Sequence, residues 1–151
     1  MIANETLLTP LSIYFDDLDA GGVVYHPSYL KLCDRVRNQA LADLGFSFQE
    51  LLAQDFVLTV VTCNNTYRRF VQMQPIVVLT RLVAWSTKSL TVRHAFYDES
   101  VTQAAADGMG DAIDALPGCF FSAETKLVGV ILSKKVSAPL PPALRAALKL
   151  L

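Results

Sequence analysis

The apolar positions along the chain change their period twice. Leu11 to Phe15 alternates weakly between apolar and polar residues and predicts a short strand. From Pro27 the period becomes helical. Tyr29, Cys33, Val36, Ala40 and Leu44 recur every three or four residues and share one face, while Lys31, Asp34, Arg35 and Asn38 occupy the other. Pro27 suits a first helical turn and Gly45 the position just past the last one. A helix of about 17 residues would be ~26 Å long. A second short helical segment is expected over Ser47 to Ala53.

Period two takes over after that. Phe56 to Cys63 is dense in β-branched and apolar residues, and Thr66 to Phe70 carries two arginines. Ile76 to Trp85 and Ser89 to Tyr97 read as strands joined by a tight turn at Ser86–Thr87–Lys88. In the second of these, Leu90, Val92, His94 and Phe96 share a face, which predicts a core histidine. Phe120 to Leu132 is the last long strand. Between these last two strands lies the Ala/Gly/Asp-rich stretch 99–118. It is far longer than an ordinary hairpin loop and is expected to be a flexible flap or tip, with one helical turn over Asp111 to Leu116. The tail 137–151 is Pro-rich, and Ala143 to Leu151 predicts a short surface helix.

One long amphipathic helix must bury its stripe, and one face of the sheet is the available partner. The expectation is a single α+β domain over residues 1–151: a curved antiparallel sheet of about five strands wrapped around a central helix. A single helical layer leaves strand edges open, which favours a homo-oligomer with a shared sheet.

Composition narrows the function. Among 151 residues, 52% are hydrophobic and 18% charged, so the chain can bury a core without disulfides or metal. A net charge of −1 supplies no basic field for nucleic acid. No apolar run is long enough to span a membrane, and Met1 to Thr9 lacks the positive start of a signal peptide, so the expected location is cytoplasmic. Cys33, Cys63 and Cys119 are widely spaced, and His26 and His94 are the only histidines, so a zinc site is not expected.

The candidate chemistry sits between the first strand and the helix. Asp19 is followed by Ala20, Gly21 and Gly22, and His26 stands just before Pro27. Glycines let a backbone take positive φ or approach a ligand closely. A first helical turn presents unpaired N–H groups and partial positive charge. A carboxylate beside such donors suits a substrate whose oxygen gains negative charge. The other reading of the same residues is a strand-to-helix turn in which Asp19 only caps.

Tyr14-Phe15-Asp16-Asp17-Leu18-Asp19-Ala20-Gly21-Gly22-Val23-Val24-Tyr25-His26, followed by Tyr29-Leu30 and Asp34-Arg35-Val36-Arg37, resembles the opening of the hotdog-fold acyl-CoA thioesterases. The resemblance is to the 4-hydroxybenzoyl-CoA thioesterase type, in its Tol–Pal-associated branch. It implies a hotdog fold, assembly into homodimers or homotetramers, and hydrolysis of the thioester in a short- or medium-chain or aromatic acyl-CoA, with no cofactor beyond the coenzyme A of the substrate. The family's carboxylate, nucleophile or general base, falls on Asp19, and its imidazole on His26. Gly22, Val23, Val24 and Tyr25 fall on the substrate-binding turn, with an oxyanion donor at a backbone N–H near His26. Arg68, Arg69, Lys88 and Ser89 fall where sheet-edge loops meet coenzyme A phosphates. Two other readings of the fold are a non-catalytic acyl-CoA-binding protein and an enoyl-CoA hydratase, although the latter's Asp-x-x-x-x-His arrangement is not found here.

Overall fold

The structure is a computed structural model that describes residues 1–150. Its strands are β1 (Thr6–Leu11), β2 (Phe56–Tyr67), β3 (Ile76–Trp85), β4 (Ser89–Asp98), β5 (Phe121–Ile131) and β6 (Val136–Ser137). Its helices are α1 (Ser28–Asp43), α2 (Phe48–Ala53), α3 (Gln103–Asp107) and α4 (Pro142–Ala147). The sheet runs β1-β3-β4-β5-β2, every pairing antiparallel, and β6 adds to the end of β5. This is the expected hotdog arrangement, a helix held by a curved antiparallel sheet.

The 16-residue α1 forms where the period predicts it. It ends in a Schellman motif. Gly45 takes φ +87° and donates to Ala42 O, while Phe46 N–H reaches Leu41 O. The buried stripe is wider than predicted, because Leu32, Leu41 and the charged Arg37 join Tyr29, Cys33, Val36 and Ala40. Half of that stripe packs on Val78, Phe96, Phe121 and Ala123 of the inner sheet face. Ser47 and Glu50 close a capping box at the start of α2.

The first strand lies earlier than expected. It pairs with β3 from Thr6↔Arg81 to Leu11↔Ile76, and β3 begins only after Pro75, so nothing remains for residues beyond Leu11 to pair with. Phe15–Asp17 instead form one 3-10 turn. Pro10 is tolerated because β1 is an edge. The two strand segments expected over 56–70 are one strand ending at Tyr67. β5 runs beside its whole length and absorbs a bulge between Val60 and Thr62.

Stretch 99–118 folds back over the outer face of the sheet. Ala106, Ile113 and Cys119 are buried against Val77, Leu79, Ala95 and Tyr97, and the Tyr97 hydroxyl donates to Ile113 O at 2.7 Å. The tail forms the expected short helix, α4, but one side of it is buried. Leu140, Leu144 and Leu148 are buried in the same cluster as Leu82, Leu90 and Leu127, because the end of the sheet beyond α1 needs an apolar cover. Leu151 of that expectation lies outside the described residues. His94 is a core residue as predicted. It is fully buried, with Nδ1 3.0 Å from Thr80 Oγ1. Burial, reinforced by the charge of Arg37, lowers its pKa to about 3 and keeps it neutral.

Candidate active site

Two acidic residues define the turn that leads into α1, and they face opposite ways. Asp17 is buried. Its Oδ2 accepts from Tyr14 N–H at 2.9 Å and its Oδ1 meets Lys31 Nζ at 2.8 Å. Burial alone would raise its pKa, but the Lys31 hydrogen bond and the Tyr14 N–H outweigh it and hold the carboxyl below the usual range. Asp19 is exposed. Its Oδ1 accepts from Gly21 N–H at 2.8 Å, with Val23 N–H at 3.5 Å, so one oxygen is anchored by the backbone. Its Oδ2 has no partner among the described residues.

The backbone around Asp19 is closed tightly. Asp19 N–H donates to Val23 O at 2.8 Å and Gly22 N–H to Asp19 O at 3.1 Å. Gly22 takes φ +76°, which explains a glycine there. Val24 N–H donates to Val71 O at 2.7 Å and Tyr25 N–H to Asp17 O at 2.9 Å. The next amide, that of His26, donates to no group among the described residues. α1 begins after Pro27 with no side-chain cap, so the capping reading of Asp19 does not hold. Asp19 closes an Asx-type turn instead.

A pocket of about 390 Å³ opens at this point, lined by Asp19, Val23, Val24, His26, Tyr29, Tyr67, Arg68, Arg69 and Phe70. Six of the residues singled out from the sequence therefore meet here. The ring of Tyr25 stands edge-on to His26, 5.0 Å between centroids, and lies outside the lining. Gly22 shapes the turn without lining the pocket. The Arg68 guanidinium is already engaged, with Nη1 donating to Ser122 Oγ at 2.8 Å and Nη2 to Asp114 at 3.0 Å. Lys88 and Ser89 are not brought to this pocket. They sit in the β3–β4 turn at the opposite end of β4, where Lys88 Nζ reaches Ser137 Oγ and Ser89 Oγ meets Ser86 Oγ.

Sequence reasoning missed three wall residues. Tyr29 counted as core, and so it is, stacked on Phe121 with centroids 4.5 Å apart. It also faces the pocket, and burial pushes its phenol up to about 12. Tyr67 lies edge-on to Tyr29 at 5.6 Å, and its hydroxyl donates to His26 O at 3.1 Å. Phe70 is 84% exposed at the rim. The Tyr67-Arg68-Arg69-Phe70 run was the only available signal, and nothing local says that it folds against residue 26.

The model of the thioesterase-like superfamily matches residues 13–148, nearly the whole chain. The chain belongs to this superfamily. Within it, a 58-residue stretch is 43% identical to the acyl-CoA thioester hydrolase YbgC of Escherichia coli O157:H7, covering 38% of this chain and 43% of that protein. A 52-residue stretch is 44% identical to the acyl-CoA thioesterase YbgC of Haemophilus influenzae, covering 34% and 38%. The match thus spans less than half the length of either relative. The likeness in fold to solved structures extends over nearly the whole chain. A 1,4-dihydroxy-2-naphthoyl-CoA thioesterase from Synechocystis superposes with a TM-score of 0.79 at 20% identity, covering 97% of each chain. The protein SAV2348 from Staphylococcus aureus, solved in complex with CoA, gives 0.79 at 14% identity over 99% of this chain and 84% of that one.

Proposed function

We propose that the protein is an acyl-CoA thioesterase that hydrolyses the thioester to a free acid and coenzyme A. One observation carries the reading. A backbone-anchored carboxylate with a free oxygen, Asp19 Oδ2, and an unpaired amide, His26 N–H, line one pocket at the start of α1. Superfamily membership and the YbgC relatives support it. The finer placement, in the 4-hydroxybenzoyl-CoA thioesterase type and its Tol–Pal-associated branch, rests on the run Asp17 to His26.

In this reading the thioester carbonyl oxygen accepts from His26 N–H, strengthened by the positive end of α1, and the oxyanion forms there. Asp19 Oδ2 either attacks the carbonyl carbon, giving an anhydride that water opens, or takes a proton from the attacking water. Gly21 N–H holds Oδ1 so that Oδ2 keeps its aim. The C–S bond then breaks and the thiolate departs. A thiolate is a good leaving group, so the His26 imidazole serves to orient water or to protonate sulfur rather than to drive the cleavage. Arg69 at the rim is the cation best placed for a coenzyme A phosphate.

The assembly proposed is a homodimer, or a dimer of dimers, joined along β2. One edge of β2 is paired with β5, while its central residues, Val60 and Val61 among them, are exposed. No helix among the described residues is long and apolar enough to cross a membrane; the cytoplasm is the proposed location. The deciding experiment is thiol release from a panel of aliphatic and aromatic acyl-CoAs, wild type beside Asp19→Asn. Turnover by the wild type that falls at least about 100-fold in the variant is the expected result. Equal rates would remove Asp19 from the mechanism.

A further inference from the structure

Two aspartates tie stretch 99–118 to the sheet, each through a different arginine. Asp111 Oδ1 accepts from Arg81 Nε on β3 at 2.6 Å, and its carbonyl accepts from Arg93 on β4. Asp114 Oδ2 accepts from Arg68 Nη2 at 3.0 Å, just past the end of β2. The first tie joins two pieces of outer surface. The second leads into the reaction pocket.

The β2–β5 ladder ends at the pair Tyr67↔Phe121, so residues 68–71 have no ladder to place them. Their position rests on a few contacts from two sides. On the outer side, Arg68 N–H and Arg69 N–H both donate to Phe120 O, at 2.8 and 3.1 Å. The Arg68 guanidinium is divided among Cys119 Sγ at 3.3 Å, Ser122 Oγ at 2.8 Å and Asp114. On the inner side, Val71 O accepts from Val24 N–H and the Tyr67 hydroxyl donates to His26 O. The run 67–71 therefore stands between the outer-face stretch and the Asp19–His26 turn, and its first four residues line the pocket.

Two successive arginines at one pocket must be kept apart in role. Asp114 neutralises Arg68, whereas the side chain of Arg69 has no ionic partner among the described residues. Arg68 and Asp114 are 34% and 28% exposed, and so open a pair adds little to stability. Its effect is directional, because a planar guanidinium held by three acceptors keeps one orientation.

We propose that Asp114, on the far side of the sheet from the reaction, is a positioning residue for substrate binding. By holding Arg68 outward it fixes the pocket wall 67–70 and leaves Arg69 as the free cation at the rim. The inference rests on the thioesterase reading above. The wall touches substrate alike before and during the reaction, while Asp19 and the His26 N–H are held by their own turn. The effect therefore falls on KM and not on kcat.

The test is thiol release by the full chain from the acyl-CoA that the wild type turns over fastest in the panel above, with calorimetric binding of coenzyme A beside it. Asp114→Asn should raise KM, and the Kd of coenzyme A, by about fivefold, with kcat within about twofold of wild type. Asp114→Glu should restore most of the loss. Asp111→Asn, which cuts the other tie and leaves Arg68 untouched, should change neither constant. Arg68→Gln should raise KM as Asp114→Asn does, and the double variant should be no worse than Arg68→Gln alone. An unchanged KM in Asp114→Asn, an equal rise in Asp111→Asn, or additive losses in the double variant would overturn the positioning role while leaving the thioesterase reading intact. No thiol release from any acyl-CoA by the wild type would instead overturn the thioesterase reading, and the positioning role with it.

Discussion

Asp17 and Asp19 stand two residues apart in one turn, yet the fold puts them to opposite uses. Asp17 is turned into the protein, and its oxygens are occupied by Lys31 Nζ and Tyr14 N–H. Asp19 is turned out, with one oxygen clamped by Gly21 N–H and the other free at the pocket. A carboxylate whose acceptors are all satisfied stabilises a turn, whereas one with a single oxygen anchored is oriented and still available. The difference comes from the glycines after Asp19, which let the chain reverse at once, and from Lys31, one helical turn into α1, which reaches back only as far as Asp17.

The comparison is broken most forcefully by exchanging the two losses. Asp19→Asn should lower thiol release at least about 100-fold, equivalent to about 2.7 kcal/mol on the barrier, and leave the urea midpoint near wild type. Asp17→Ala should do the reverse. It strands Tyr14 N–H and Lys31, and a loss of about 1–3 kcal/mol in urea unfolding is expected, with any fall in activity tracking the unfolded fraction. Because the folded-state pKa of Asp17 is depressed, its contribution is fully present above the unfolded value and disappears as pH falls through the folded one. The wild type should therefore lose stability below about pH 4, and Asp17→Ala should show a flatter acid limb in urea titrations at stepped pH.

Subtler changes sharpen the contrast. A Cβ at Gly21 would lie 3.2 Å from Asp19 Oδ1, so Gly21→Ala should disturb the aim of the carboxylate and lower kcat by about tenfold with little effect on thermal unfolding. At Gly22 a Cβ meets nothing within 4 Å, but φ is +76°. Gly22→Ala should therefore cost about 1 kcal/mol of stability through backbone strain, measured in urea. The smallest effect belongs to Asp114→Asn at the outer-face tie to Arg68, a partly exposed pair for which about 1 kcal/mol or less is expected in the same titration.

Much of this was readable along the chain. The i, i+3, i+4 pattern from Tyr29 to Leu44 and the glycine at 45 marked α1, and alternation marked β3 and β4 almost to the residue. Those signals are local, because helix and strand periods and turn preferences operate over a few neighbours. The errors at β1, β2 and the tail arose where an element depended on a distant partner, whereas the helix of stretch 99–118 formed at Gln103–Asp107 rather than over Asp111 to Leu116. β1 ends at Leu11 because β3 starts after Pro75. β2 runs unbroken to Tyr67 because β5 lies beside it. Leu144 and Leu148 are buried because the end of the sheet needed covering.

The site divides along the same line. The Asp19–Gly21–Gly22–His26 turn is built from adjacent residues, so the turn itself was visible as a spacing. That Tyr67 and Phe70 close the pocket, that the guanidinium of Arg68 is held by Asp114 and Ser122, and that Lys88 and Ser89 sit at the far end of β4 follow from pairing register, which only the assembled sheet decides. Register is settled by the burial of whole faces at once, a property of the packed molecule that no short window of sequence contains.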